Sequence, residues 1–198
     1  VTRAELPVET VGHAELLPGG IGYVRLARFA RGTGLAVRRA LSDLQDQTDL
    51  KGFILDLRDN PGGLLDAAVD VVELFVPINS VIVTTRGRDG DETRSYTSNE
   101  EPIEPFLPLA VLINERSASA SEIVAGAIQD LDRGIIVGKR SFGKGLVQTM
   151  VPLPNEATLK LTTSRYYTPS GRSIQRIDYR TRRAPVGEPN NAIAGADS

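Results

Sequence analysis

The run from Val8 to Leu17 mixes apolar and polar positions as a half-buried strand does, and Pro18-Gly19-Gly20 closes it with a turn. Ile21–Phe29 alternates again and predicts a second strand. Val37, Leu41 and Leu44 then recur at i, i+4 and i+7, the one-sided stripe of a helix packed on a sheet. Gly52–Arg58 is short, apolar and bounded by turn formers, which predicts a buried strand. Asn60-Pro61-Gly62-Gly63 breaks that strand. A helix is predicted to follow to about Val76, with Asp66, Asp70 and Glu73 on one face. Val81–Thr85 and Arg94–Thr97 flank Gly87–Asp91 and predict a hairpin. Leu109–Asn114 predicts another buried strand, and Glu122–Leu131 a helix whose Ala and Gly residues allow close packing. Ile135–Gly138, Leu146–Val151 and Thr158–Thr163 predict three more strands. Buried strands alternating with amphipathic helices make the expected fold class α/β, with helices behind a sheet.

Composition narrows what such a domain could do. A chain of 198 residues, 40% hydrophobic, is long enough for one domain with its own core. Its net charge of −2, from 23 basic and 25 acidic residues, gives no electrostatic reason to expect nucleic acid or an anionic membrane as partner. The longest apolar run, Leu64–Val76, is interrupted by Asp66, Asp70 and Glu73, so no membrane insertion by this segment is expected. With no cysteine there is no disulfide framework, no thiolate nucleophile and no cysteine metal site. The single histidine, His13, rules out a multi-histidine metal site, and a Ser-His-Asp triad would have to use it. His13 reads as an ordinary strand residue, so neither a metal nor a cofactor is expected. The chain starts at Val1 without Met or a leader-like segment and reads as a trimmed or excised piece. Residues 1–175 are expected to form the domain, and the polar stretch 176–198 a mobile tail.

Three segments could carry chemistry. Asp56-Leu57-Arg58-Asp59-Asn60-Pro61-Gly62-Gly63 lies where a strand leads into a helix. Paired glycines leave amide N–H groups open to a ligand oxygen, and a helix N-terminus favours developing negative charge there. A tight turn with no further role would read the same way. The second segment is Ser117-Ala118-Ser119-Ala120-Ser121-Glu122. Ser119 and Glu122 have the S-x-x-E spacing of a capping box, which needs no chemistry. A nucleophile at a helix start would show the same spacing, with the Ala120 N–H directed at an oxyanion.

The third segment, Gly138-Lys139-Arg140-Ser141-Phe142-Gly143-Lys144-Gly145, nearly matches a phosphate loop. Position 145 is Gly where that pattern needs a hydroxyl, and Leu146–Val151 alternates like a strand where a helix should open, so nucleotide binding is rejected. Lys144 instead enters an apolar strand between two glycines. At an ordinary lysine pKa of about 10.4, only about 0.04% of the amine is neutral at pH 7. To act as a base it would have to be buried, with a pKa near 7.5, at a cost of about 4 kcal/mol.

In order and spacing these segments, with Gly22-Tyr23-Val24-Arg25-Leu26 and Tyr166-Tyr167-Thr168-Pro169-Ser170-Gly171-Arg172, resemble the carboxyl-terminal processing peptidases, the tail-specific proteases of family S41. The resemblance runs from about residue 8 to residue 175. It implies a ClpP/crotonase-like core of stacked ββα units with a mixed sheet. It also implies that Ser119 is the nucleophile, Lys144 its general base, and Gln148 the side chain that orients the lysine. If Lys144, Leu146 and Gln148 alternate along one strand, Gln148 faces the same side as Lys144. The oxyanion hole would be the backbone N–H of Ala120 with that of Gly62 or Gly63. Ser117 and Ser121 go to helix start and packing, and Asp130 to a possible supporting role. The implied reaction is endopeptidase cleavage near the C-terminus of proteins with apolar, unfolded tails, through an acyl-enzyme. A bacterial cell-envelope location, periplasmic or extracytoplasmic, is implied by the family alone.

Two features depart from the family. No PDZ domain fits into this chain, and the stretch after Arg176 differs from the usual continuation. The alternative reading is a non-catalytic domain that binds a peptide or small apolar ligand on the same fold. An acyl-CoA enzyme of the crotonase type would not need Lys144, and no basic cluster dedicated to a CoA phosphate is visible.

Overall fold

The computed structural model describes residues 9–87, 92–155 and 157–176. In chain order the elements are β1 (Val11–Leu17), β2 (Ile21–Leu26), α1 (Thr33–Gln45), β3 (Gly52–Asp56), α2 (Leu65–Glu73) and β4 (Val81–Gly87). They continue as β5 (Thr93–Thr97), β6 (Leu109–Ile113), α3 (Ala120–Asp130), β7 (Ile135–Gly138), β8 (Leu146–Pro152) and β9 (Thr158–Tyr167). The predicted elements are all present, with shifted ends. The helix expected from Glu122 begins at Ala120, and the last strand runs on from Thr163 to Tyr167. Val8, residues 88–91 of the predicted hairpin loop and residues 177–198 of the predicted mobile tail lie outside the described residues.

Five strands make a mixed sheet in the order β1-β2-β3-β6-β7. β1 and β2 are antiparallel around the Pro18-Gly19-Gly20 turn, and β2, β3, β6 and β7 are parallel. The parallel strands explain the continuous apolar runs, because both faces of the sheet interior are covered. Leu55, Leu57 and Val111 are fully buried, each contributing about 1.5–3 kcal/mol over an exposed position. α1 packs on β1 and β2, α3 on β7, and α2 contacts both α1 and α3. Phe53 of β3 stacks on Phe75, just after α2, with ring centroids 5.7 Å apart.

The alternation in the sequence does not distinguish a second sheet, which the structure contains: an antiparallel set in the order β5-β4-β9-β8. α2 and α3 both touch β4, so the helices lie against strands of both sheets. β6 and α3 belong to the first sheet and its helical layer. β7 ends at Gly138 and β8 begins at Leu146, so residues 139–145 are the crossing between the two sheets.

Candidate active site

Parallel strands β3 and β6 end side by side, and the segment after each leads toward a helix. The first segment is built around Asp56 and Asn60, both fully buried. Asp56 accepts from the Tyr23 hydroxyl at 2.6 Å, from the Arg58 N–H at 2.9 Å and from the Arg58 guanidinium at 2.7 Å. Burial pushes its carboxyl up, but the Arg58 and Tyr23 hydrogen bonds outweigh that and hold it below the usual aspartate value. Asn60 Nδ2 donates to the Leu26 carbonyl at 2.9 Å, and its Oδ1 accepts the Gly62 N–H at 2.9 Å. The Asn60 carbonyl receives the Ala118 N–H at 3.1 Å and the Ser121 hydroxyl at 3.0 Å. One asparagine thereby ties the end of β2, the glycine turn and the serine loop together. The sequence reading covers Asn60 only as part of a turn.

Ser119 caps α3 with φ 56° and ψ −113°, the conformation of the first central residue of a type II′ turn, which glycine dominates. Its neighbours hold it there. Ser117 Oγ donates to the Leu57 carbonyl at 2.8 Å, and Ser121 Oγ to Asn60, which agrees with a packing role for both serines. Gly62 lies directly against this turn: a Cβ on it would sit 2.5 Å from the Ala118 carbonyl oxygen and 2.8 Å from both Ala120 N and Ser119 Cβ. Gly63 is pressed as closely on Phe29, where an added Cβ would stand 1.9 Å from the carbonyl oxygen. The Gly62 N–H is engaged by Asn60, whereas the Gly63 N–H has no acceptor among the described residues. The Ala120 N–H opens the helix and has no carbonyl within it to bond.

Glu122 joins the serine to the lysine. Its side chain is fully buried in the first turn of α3. Oε2 accepts the Ser119 N–H at 2.8 Å and the Lys144 N–H at 2.8 Å; Oε1 accepts the Ser141 hydroxyl at 2.7 Å and the Gly143 N–H at 2.6 Å. Two amide nitrogens each 2.8 Å from one oxygen lie within about 6 Å of each other, so the backbones of Ser119 and Lys144 are adjacent. Burial raises the Glu122 carboxyl above its ordinary 4.5, with the four donors opposing that rise. The S-x-x-E spacing announces the bond to Ser119. Nothing local in the sequence announces the other three.

The glycines around Lys144 have a packing reason. A Cβ at Gly143 would meet Arg176 Cβ at 2.3 Å, and one at Gly145 would meet the Gln175 N at 2.3 Å. Gly145 N–H donates to Gln175 Oε1 at 2.8 Å, and Arg176 N–H to the Gly143 carbonyl at 3.1 Å. The expected burial of Lys144 is not found. Gly143 and Gly145 are buried, but the Lys144 side chain points outward, is exposed, and has no hydrogen bond or ion pair among the described residues. Lys144 also precedes β8, and the register shift at Val147 and Gln148 puts its extra residue, Thr163, on the partner strand β9. Gln148 is likewise exposed. Asp130 sits at the other end of α3, about 16 Å along the axis from Ser119. It accepts from Ser170 N at 3.0 Å and Ser170 Oγ at 2.6 Å, and pairs with Arg172. Its work is to clamp the segment after β9. His13 is an exposed β1 residue, with Nε2 3.3 Å from Glu15. No cluster of metal-binding side chains occurs among the described residues.

A strained serine at a strand-to-helix junction, backed by a glycine turn and tied to a lysine loop, places this α/β domain in the class of peptidase-type folds. Residues 20–180 match peptidase family S41, and the chain belongs to that family. It is 50% identical over 162 residues to the carboxy-terminal-processing protease of Bartonella bacilliformis, covering 80% of this chain and 37% of that protein. To the carboxyl-terminal-processing protease of Synechocystis sp. it is 44% identical over 161 residues, covering 81% and 37%. Among solved structures, a photosystem II D1 C-terminal processing protease superposes with a TM-score of 0.73 at 36% identity, covering 93% of this chain and 49% of that one. The chain thus spans little more than a third of the curated relatives' length. Among the described residues no helix is long and apolar enough to cross a membrane.

Proposed function

We propose that this chain carries the catalytic centre of a serine endopeptidase that cleaves near the C-terminus of protein substrates. The observation that carries the reading is the Glu122 carboxylate, which fixes the backbones of Ser119 and Lys144 against each other beside two unengaged N–H groups. Ser119 Oγ attacks the substrate carbonyl carbon while its proton passes to the neutral Lys144 amine. The oxyanion is received by the Ala120 and Gly63 N–H groups; Gly62 supplies close approach, since its own N–H already serves Asn60. Lys144 then returns the proton to the leaving amine, and water releases the acyl group from Ser119. Gln148, next to the bulge, orients the lysine amine once substrate is bound. Asp130 stays outside the reacting centre.

A general base must be neutral to take the serine proton, and Lys144 is exposed, so the substrate has to cover it. An extended apolar tail laid across Ser119 excludes water from Lys144 and favours its neutral form. That requirement selects unfolded, apolar C-termini and works through backbone contacts rather than a fixed sequence. The relatives are bacterial and chloroplastic processing proteases, and on the family resemblance we place this protein in the bacterial cell envelope.

The test is hydrolysis of an unfolded protein with an apolar C-terminus between pH 6 and 10. Ser119→Ala and Lys144→Ala are expected to abolish cleavage with the circular dichroism spectrum unchanged. Lys144→Arg should fail as well, because arginine stays protonated. Near-wild-type turnover by either alanine variant would sink the serine–lysine pair. Substrate binding without cleavage by the folded wild type would favour a binding domain on this fold.

A further inference from the structure

Asn60 is fully buried, and both ends of its side chain are committed. Nδ2 is anchored on the Leu26 carbonyl at the end of β2, a strand of the sheet interior. Oδ1 takes the Gly62 N–H two residues on, a side-chain turn that mimics a backbone one. A flipped amide would set two oxygens against each other and two N–H groups likewise, so the hydrogen bonds fix its orientation. The Gly62 carbonyl accepts the Phe29 N–H at 3.0 Å, so both polar groups of Gly62 are engaged inside the protein. The Leu64 N–H goes to the Phe29 carbonyl at 3.0 Å. Between these two, Gly63 is exposed, and its N–H has no acceptor among the described residues. The other wall of the site hangs from the same asparagine. The Ala118 N–H and the Ser121 hydroxyl, on either side of Ser119, share its carbonyl.

We propose that Asn60 is the positioning residue of the oxyanion hole: its side chain turns the Gly62 N–H inward and so leaves the Gly63 N–H, with that of Ala120, to receive the oxyanion. This rests on the peptidase reading and adds a residue to it. The Gly62-Gly63 turn bears directly on the nucleophile, since a Cβ on Gly62 would stand 2.8 Å from both Ala120 N and Ser119 Cβ. Paired glycines have backbone freedom that other residues lack. Without the Oδ1 acceptor the peptide planes of this turn are free to rotate, and either amide could face the substrate. An oxyanion hole works through preorganised donors, so a rotated N–H loses most of its effect on the transition state. Asparagine suits the position because it offers an acceptor and a donor on one short planar group, which neither aspartate nor alanine does.

The test uses the whole chain with nitrogen-labelled glycine and an apolar peptidyl trifluoromethyl ketone. Ser119 Oγ bonds to the ketone carbon, the carbonyl electron pair becomes the oxyanion, and the serine proton passes to Lys144. The Gly63 amide proton is expected to move downfield on adduct formation while that of Gly62 stays in place. In the free protein the Gly62 amide should exchange slowly in deuterated water and the Gly63 amide fast. Asn60→Ala should lower kcat by about a hundredfold with little change in KM, and weaken the ketone by a similar factor. In the Ser119→Ala background, the same substitution should leave the affinity for a peptide amide of that sequence unchanged. A downfield move of Gly62 in place of Gly63 would overturn the assignment, and this readout needs no variant to fold. So would a folded Asn60→Ala protein with a lower urea midpoint but an unaltered kcat, the behaviour of a purely structural asparagine. A ketone that adds no mass at Ser119 removes the serine centre and this role with it, whereas an adduct seated on the wrong glycine removes the role alone.

Discussion

Glu122 accepts four hydrogen bonds with one buried carboxylate and is the residue on which the candidate centre depends most. A glutamine of the same shape has one accepting oxygen and turns an NH2 group toward donors. Glu122→Gln should therefore lower kcat by about a hundredfold or more with a smaller change in KM, by analogy with the loss of one preorganised donor. Its pH behaviour is a sharper check. Because burial raises the folded carboxyl above 4.5, protonation sets in on acidification before ordinary carboxylates respond, and the serine and lysine amides lose their acceptor. Activity should fall as pH drops through that raised value. Stability moves the other way. Between 4.5 and the raised value the folded chain holds a proton the unfolded chain has released, so this group's contribution weakens as pH rises. Parallel curves of kcat/KM and urea midpoint from pH 4 to 7 should diverge in that window, and Glu122→Gln should abolish the divergence. At this scale the sequence nominates Ser119 and Lys144 as candidates and shows the capping distance to Glu122. The second carboxylate oxygen and the outward direction of the lysine depend on contacts across about twenty residues, which no periodicity encodes.

Among the elements, α3 has two ends with different duties. Its N-terminus holds Ser119, and Asp130 near its C-terminus clamps Ser170 and Arg172. Burial pushes the Asp130 carboxyl up, yet the bonds from Ser170, Thr168 and Arg172 together hold it below its ordinary 3.8. The stability this provides is complete above the unfolded value and is lost as pH falls through the folded one. Asp130→Asn is expected to cost about 1–2 kcal/mol at neutral pH and to flatten the acid limb of the melting curve. Turnover of substrate should be unchanged, since the clamp lies away from the serine. A large loss of kcat at full folding would assign Asp130 to the chemistry instead. The element types are legible because helices and buried strands differ in period and length, and the glycine turn shows where β3 ends. The bulge facing Gln148 is not legible: its extra residue, Thr163, lies on β9, and the apolar–polar pattern of β8 carries no mark of it.

For the molecule as a whole, helices in contact with strands of two sheets mean that the core is shared rather than divided. Phe53 on β3 and Phe75 after α2 stack within it, both about 1% exposed. Phe53→Ala should destabilise the fold by about 3–5 kcal/mol, a large part of the roughly 5–15 kcal/mol a domain possesses. The urea transition should stay single, with an unchanged slope and a lower midpoint. Two separate transitions would mean that the sheets fold independently. The second sheet escapes sequence reading because β4 pairs with β9, about eighty residues away, and alternation states a strand's faces without naming its partner. The lysine loop crosses between the sheets and is held by Tyr166, Gln175 and Arg176. During synthesis Ser119 and its helix leave the ribosome well before those anchors exist. A nascent chain therefore displays the proposed nucleophile while the proposed base has no fixed place, and on the proposed mechanism it is harmless to itself and to neighbouring nascent proteins until the segment after its last strand has been laid down.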